Sequence, residues 1–584
     1  MDHSMFHNRA ESLLYRKLRP YLIGDLISAG FPQSVAGSIV NYYNPGHSEY
    51  LQRVDAWQVL LCRGAVTERD DLCPELVSSG IIRHTSFNSY SILEADPWMV
   101  YHIHTVIRLF YKFRGEPRSV QDFESVKSRL TSCPNIHLYT HEILGMRKIL
   151  YENLIPPFSI HEMEFGFGPG ASADVKGNYS KWLLEASYDI SINPEWYPLL
   201  HNDTLFNEKF ASRLRFHDSS CTKIAEVPKS LKSTRVVSSE PAWNMFHQLA
   251  LGRHLAKQLC EAFPGNVFLH DQSKHNEALQ RSDVATIDLS DASDHVSKQI
   301  VSILLPEWWN LLSTVRSKRA RFPDGEEVEL TTFAPMGSGV CFPVLTAVSA
   351  AILSFCCGSD WRAYGDDWIV PIRHYDAVLD LAARCGLVPN TRKSCCTGVY
   401  RESCGVEMFR NLNITSTYIR RDPAQFDSPM LGEVLTLLGR YDSFTATRGA
   451  LVGLAKHALP TKRRWNTALQ RWEVDVRKYK PVIDKRKLPD HLALNRWLST
   501  ARDKTNAPVL VYQPADRIYR DSFCTKVHVK DKPSGKVLFT RDSCDQVDQS
   551  TWNSGKLVSS YEPEQDHPSL VHWFDTIPLT RVED

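Results

Sequence analysis

Two adjacent aspartates, Asp366 and Asp367, follow Tyr364-Gly365 directly and precede the apolar run Trp368–Val370, which confines this stretch to a tight hairpin turn. Glycine permits the backbone angles such a turn needs. The apolar runs on either side, Ala347–Cys357 and Trp368–Val370, read as strands that hold it rigid. Carboxylates fixed side by side repel, and burying them is costly unless a cation sits between them. Two divalent ions about 3.5–4 Å apart would neutralise the pair and clamp the attacking and leaving oxygens of an in-line phosphoryl transfer. An exposed Gly-Asp-Asp hairpin is also ordinary turn chemistry, so the motif alone decides nothing.

A further carboxylate lies upstream. In Ala285-Thr286-Ile287-Asp288-Leu289-Ser290-Asp291-Ala292-Ser293-Asp294 a short apolar strand ends in Asp288. Between the two motifs the order from Asp283 to Cys404 reads strand, helix, hairpin, loop, helix, hairpin, helix, strand, an α+β arrangement with helices on one face of a sheet. Asp324-Gly325 marks a tight turn between two strand-like runs, and Pro335-Met336-Gly337-Ser338-Gly339 is a loop whose backbone has room to move.

At 584 residues the chain is too long for one hydrophobic core and should divide into several. The net charge of +1 leaves any nucleic-acid channel to local clustering of cations. Fourteen cysteines without CxxC pairs, behind a charged start at Met1–Arg19 that is no secretory leader, read as reduced thiols in a cytoplasm. The long apolar stretch Val340–Cys357 is interrupted by Pro343, Thr346, Ser349 and Ser354 and reads as a buried core helix rather than a membrane span.

Residues 1–140 are mostly helical by periodicity, with helical spacing in Ala95–Phe113 and, just beyond, in Leu138–Leu154. Gly166-Phe167-Gly168-Pro169-Gly170-Ala171-Ser172 is a loop whose amides could approach a phosphate. In Val227–Val237, Lys229, Lys232 and Arg235 recur at every third residue of an extended segment, a spacing suited to a triphosphate or to a solvated basic edge. After residue 410 the pattern reads as helical and basic. Cations from Lys462 to Lys487 interleave with Trp465, Trp472 and Tyr479, fit either to neutralise phosphates and stack on bases or to form a solvated face. Arg541–Asp584 is acidic.

In this order the motifs resemble the replicase subunit of the small single-stranded RNA bacteriophages, the leviviruses. The resemblance rests on Pro228-Lys229 through Arg235, Glu240-Pro241-Ala242-Trp243-Asn244-Met245-Phe246, Thr286–Ser290 with Ala292–Asp294, Met336–Gly339, Tyr364–Asp367, Asn390-Thr391-Arg392-Lys393 and Arg401-Glu402-Ser403-Cys404-Gly405. It covers about Lys223 to Arg421, with the Gly168-Pro169-Gly170-Ala171 loop added. The resemblance implies a right-hand polymerase with palm, fingers and thumb, the palm an antiparallel sheet backed by helices. The divisions expected are 1–140, a helical region associated with the fingers; 141–273, fingers with the triphosphate-binding motif; 274–410, the palm; and 411–584, thumb and carboxy-terminal region.

By the same resemblance, Asp288 and Asp366 bridge two magnesium ions, for which manganese could substitute, Asp367 supports the metal at the primer 3′ oxygen, and the Leu289 carbonyl is a further ligand. Lys229, Lys232 and Arg235 hold the incoming triphosphate, and Lys393 stands where a general acid for the leaving group is often found. Ser338, beside Gly337 in the nucleotide site, and Asp294 are candidates for sensing the ribose 2′-hydroxyl, with Ser290 or Ser293 as alternatives because Asp294 is six residues after Asp288 rather than five. Implied partners are an RNA template and nascent strand, ribonucleoside triphosphates, elongation factors Tu and Ts, and ribosomal protein S1, in the cytoplasm of a bacterial host. Initiation is expected without a primer.

Two other readings fit part of the pattern. A reverse transcriptase carries a similar aspartate constellation but usually a bulkier residue where Gly365 stands. A non-catalytic RNA-binding protein on a polymerase-like fold has no need of the three carboxylates.

Overall fold

The computed structural model describes residues 10–420 apart from 68–71, 86–88, 114–121, 158–161, 165, 169, 175–189, 193–213 and 217–220, together with 444–447 and 449–451. The backbone alone is described at 190–192, 214–216, 465–466, 471–472, 509–512, 524–531, 537–541, 557–563 and 580–583.

The amino-terminal region is helical, as its periodicity predicts: α1 (Ala10–Ser28), α2 (Gln33–Tyr42), α3 (Tyr50–Arg63) and α4 (Pro97–Arg108). Local chemistry sets where α4 begins. The Asp96 carboxylate accepts the backbone N–H groups of Trp98 (2.9 Å) and Met99 (3.0 Å), and Pro97 occupies the first turn, where a missing N–H costs nothing. These helices share a core built on Leu18, Leu22, Trp57 and Ile103, closed by Tyr400 and Phe409 from far along the chain. Helices α5 (Phe123–Thr131) and α6 (Thr140–Tyr151) follow.

The basic segment folds into a hairpin of β1 (Cys221–Pro228) and β2 (Thr234–Ser239), pairing Val227 with Arg235. Helix α7 (Ala242–Ala262) then enters the main core. Next come β3 (Val284–Ile287), α8 (Lys298–Leu304), α9 (Pro306–Val315), the hairpin β4 (Arg319–Arg321) and β5 (Glu327–Glu329), α10 (Cys341–Cys357), the hairpin β6 (Arg362–Tyr364) and β7 (Asp367–Pro371), α11 (Tyr375–Arg384), and β8 (Tyr400–Ser403), β9 (Val406–Phe409) and β10 (Leu412–Asn413). Element order from 283 to 404 is the one expected, except that helices follow β3 in succession where one was anticipated. Gly325 sits at φ 92° in the β4–β5 turn foreseen at Asp324-Gly325.

The central sheet is antiparallel with order β6–β7–β3. Single bridges prolong it, Val267 beside Ala363 on one edge and Cys395 beside Thr286 on the other. Helix α10 is apolar on nearly every side and packs against α6, α7 and the hairpin, so Val340–Cys357 is the buried core helix anticipated. No helix among the described residues is long and apolar enough to cross a membrane. Separate hydrophobic clusters match the expectation of more than one core. The described cysteines are free thiols.

Two expectations are corrected. Ala347–Cys357 is helix, and the first strand of the Gly-Asp-Asp hairpin is the short Arg362–Tyr364; a continuous apolar run has no period to separate strand from buried helix. The carboxy-terminal third has a helical pattern, yet its described segments beyond 451 are strands, among them 524–531 between 537–541 and 557–563. The side chains of the basic and aromatic stretch 462–487 lie outside the described residues, apart from backbone pairing of Trp465 with Trp472.

Candidate active site

Strand register brings the carboxylates together. Trp368 pairs with Ile287, so Asp288, one step past the end of β3, lies across from Asp367 at the start of β7. Tyr364 pairs with Asp367, leaving Gly365 and Asp366 as a two-residue turn. Gly365 has φ 64°, and a Cβ there would run into the Phe342 ring on α10. Gly365→Ala should therefore displace the turn and reduce any activity that depends on it by at least about tenfold, as misplacement of a reacting group does. Unchanged activity together with an unchanged Tm would show that the turn tolerates a side chain.

Asp288 is held from the other edge. The 388–395 segment runs antiparallel to it: Ser290 N–H donates to the Val388 carbonyl (2.8 Å) and Asn390 N–H to the Asp288 carbonyl (2.8 Å). Asn390 Nδ2 donates to Asp288 Oδ2 (2.9 Å), Lys393 Nζ stands 3.3 Å from the same oxygen, and the Asp288 N–H donates to Ser394 Oγ (3.2 Å). Leu289 faces Pro389 as a pair without mutual hydrogen bonds, which turns its carbonyl away from that segment.

Electrostatics single out the same groups. Burial, then the charge of Asp288, raises the Asp366 carboxyl, with Arg235 and Lys393 opposing. Burial, then Glu402, Asp366 and Asp288, pushes Asp367 up to about 8. Burial works against the charge on Lys393, but Asp288 outweighs it and the ammonium pKa rises. Burial lowers Lys229, and Arg235 and Lys393 lower it further.

Among the predicted residues, Asp288, Asp366, Asp367, Lys393, Lys229 and Arg235 thus lie within one another's fields. Lys232 does not join them, because its ammonium forms a surface ion pair with Asp55 of α3. Asp294, on the short helix Ala292–His295, has Arg129 Nε of α5 at 3.4 Å, and Ser293 Oγ donates to its carboxylate (3.3 Å). The Cys341 thiol feels the charges of both Asp294 and Asp366, which places Asp294 near the turn. Ser338 is buried and its hydroxyl donates to Gln248 Oε1 (3.1 Å). Gly337, at φ 116°, packs so closely on the Ser238 carbonyl that a Cβ would overlap it. The Gly168 loop rests on Met245 and Leu249 of α7.

Asn390, Glu402 and Cys404 stand within the motifs, but nothing in the sequence marks a role for them. Asn390 anchors Asp288, and both Glu402 and Cys404 lie beside Asp367. Among the described residues no group of three or more His, Cys, Asp or Glu side chains is placed to hold a metal ion by itself. An ion that keeps several waters and borrows ligands from a triphosphate needs none.

A model of the family "RNA replicase, beta-chain" matches residues 133–445. Over 211 residues the chain is 38% identical to the RNA-directed RNA polymerase subunit beta of Enterobacteria phage SP, covering 34% of this chain and 36% of that one. Over 210 residues it is 34% identical to the corresponding subunit of Escherichia virus Qbeta, covering 35% and 36%. The matches span little more than a third of the length of these curated relatives. An in situ structure of the BmCPV RNA-dependent RNA polymerase is similar at a TM-score of 0.42 with 11% identity, over 75% of this chain and 48% of that one, too slight a likeness to add to the argument. The family model takes in more than half of the chain, and the chain belongs to the RNA replicase beta-chain family.

Proposed function

We propose that this chain is an RNA-directed RNA polymerase that replicates a single-stranded RNA phage genome, transferring nucleotides from ribonucleoside triphosphates to an RNA 3′ end and initiating without a primer. The observation that carries this reading is the convergence of Asp288, Asp366 and Asp367 on one sheet end beside Lys393, Lys229 and Arg235.

The donor set fits divalent cations. Asp288, Asp366 and Asp367 offer hard oxygens, joined by the Leu289 carbonyl, and the mutual repulsion of the aspartates is what a cation relieves. Two magnesium ions, or manganese in their place, would supply activation of the 3′ oxygen and neutralisation of charge on the phosphates. The protein's own groups align and screen. Asn390 fixes the Asp288 carboxylate, Lys229 and Arg235 neutralise the triphosphate, and Lys393 Nζ holds a proton for the departing pyrophosphate oxygen. Lys232 would join them on leaving Asp55, a surface pair worth about 0–1 kcal/mol.

Residues 274–410 serve as palm, 141–273 as fingers with the triphosphate hairpin, 1–140 as a helical support of the fingers, and 411–584 as thumb and carboxy-terminal region. The partners are template and nascent RNA and, from the family, elongation factors Tu and Ts and ribosomal protein S1, in the cytoplasm of the host.

The test is RNA synthesis on a single-stranded RNA template with magnesium and four ribonucleotides, with bacterial extract present. Lys393→Leu should lower the rate by about 10²–10⁴-fold, the usual contribution of a general acid, and flatten the alkaline limb of the pH–rate profile. A rate and profile equal to wild type would remove Lys393 from the chemistry.

A further inference from the structure

We propose that Gln248 is a positioning residue that sets ribose specificity, by fixing the Ser338 hydroxyl as a hydrogen-bond acceptor for the 2′-hydroxyl of the incoming ribonucleotide. The inference rests on the polymerase reading above.

Gln248 lies in the middle of α7 and is fully buried, where an unsatisfied amide would be costly. Its orientation has one solution. The Gly339 N–H donates to the side-chain oxygen (2.9 Å), and the side-chain nitrogen donates to the Val315 carbonyl (2.8 Å); exchanging the two ends would set donor against donor and acceptor against acceptor. Ser338 Oγ, 3.1 Å from that same side-chain oxygen, must therefore be the donor there. A hydroxyl has one hydrogen and two lone pairs, so Ser338 is left to accept from another group. A ribose 2′-hydroxyl can donate to it. A deoxyribose cannot.

The surroundings hold this arrangement still. A Cβ at Gly252 would overlap the Gly339 carbonyl, and a Cβ added at Gly339 would come within 3.0 Å of the Gln248 Cβ and the Leu249 nitrogen, so the loop lies directly on the α7 backbone. On its other side the Ser238 N–H donates to the Met336 carbonyl (2.7 Å), tying the loop to β2, the strand that carries Arg235. Four residues beyond Ser338, Phe342 is the ring that a Cβ at Gly365 would strike, so the helix the loop leads into abuts the aspartate turn. Gln248 is also hydrogen-bonded to the Glu240 carboxyl, which in turn accepts from Ser317 Oγ, so the amide belongs to a continuous buried network.

The test is single-nucleotide addition by the full-length protein on an RNA template, measured as kcat/KM for a ribonucleotide over that for the matching deoxyribonucleotide. Gln248→Met, of similar volume without the amide, should lower this ratio about tenfold, the scale of one neutral hydrogen bond. Most of the loss should appear in the ribonucleotide kcat/KM, with deoxyribonucleotide addition and RNA affinity unmoved. Ser338→Ala should give the same loss, and the double variant no more. Should Gln248→Met fail to melt as wild type does, Gln248→Asn, which withdraws the amide by one methylene, carries the same expectation. An unchanged ratio in a folded Gln248 variant, or equal slowing with both sugars, overturns the role of Gln248 while leaving the polymerase intact. Wild-type protein that adds no nucleotide at all instead overturns the reading on which the inference rests.

Discussion

Asp366→Asn is expected to reduce RNA synthesis by about 10³-fold or more, the scale on which transition-state charge stabilisation is lost when one essential group is removed. The side chain keeps its size and the turn keeps its glycine, so folding should be untouched; only a charged oxygen in the shared field of Asp288, Arg235 and Lys393 disappears. Removing a buried like charge should even favour the folded state slightly in the absence of metal. Single-turnover extension with magnesium, set beside thermal melting of the same preparation, checks both halves. A variant that melts as wild type does and synthesises RNA at a comparable rate would remove Asp366 from the chemistry.

Glu407→Ala should be strongly destabilising, at about 3–5 kcal/mol, the range for breaking a buried ion pair, lowering Tm by roughly 2–4 °C on the size scaling for a chain of 584 residues. Glu407 on β9 pairs with Arg108 and, at 3.0 Å, with His104, both of α4; it accepts from Tyr400 Oη (2.9 Å) and from the Ser416 N–H (3.1 Å). His104 Nδ1 accepts from Trp57 Nε1 (2.9 Å), so its proton sits on Nε2 and points at Glu407 while the ring stays neutral, in keeping with the lowering of its pKa by burial. The network bolts the amino-terminal helices to the hairpin that places Glu402 and Cys404 beside Asp367.

The pH dependence has a definite sign. Burial alone would raise Glu407, but Arg108 and His104 overwhelm it and hold the carboxyl well below its usual range. A depressed folded-state pKa gives stability that is fully present above the unfolded value, about 4.3, and is lost as pH falls through the folded one. Wild type should therefore lose stability in acid more steeply than Glu407→Gln when urea midpoints are compared between about pH 3 and 7. Parallel curves would show that the pair is not what fails in acid.

The geometry of the aspartate motifs was legible because local chemistry specifies it. Gly365 and the paired aspartates fit few backbones other than a tight turn, and Asp288 closes a strand whose apolar residues are all buried. What escaped notice depends on contacts between distant parts of the chain. Nothing near Lys232 announces that Asp55, 177 residues earlier, takes its charge, and the Arg108–Glu407 pair joins residues 299 apart. Gln248 is one polar residue inside an otherwise ordinary helix, and only the closeness of Gly339 and Ser338 gives it a task. Patterns with two valid readings also failed: Ala347–Cys357 is apolar throughout, so it fits a buried helix as well as a strand. Interleaved cations and aromatics at Trp465 and Trp472 suit a helix face, yet the backbone there forms a short ladder.

The most direct measurement is the identity of the product made by wild-type protein on a defined single-stranded RNA, with magnesium, all four ribonucleotides, all four deoxyribonucleotides and bacterial extract present. An RNA strand complementary to the template, absent when the metal is chelated, is the predicted result. A DNA product, or tight RNA binding with no strand made, would contradict it.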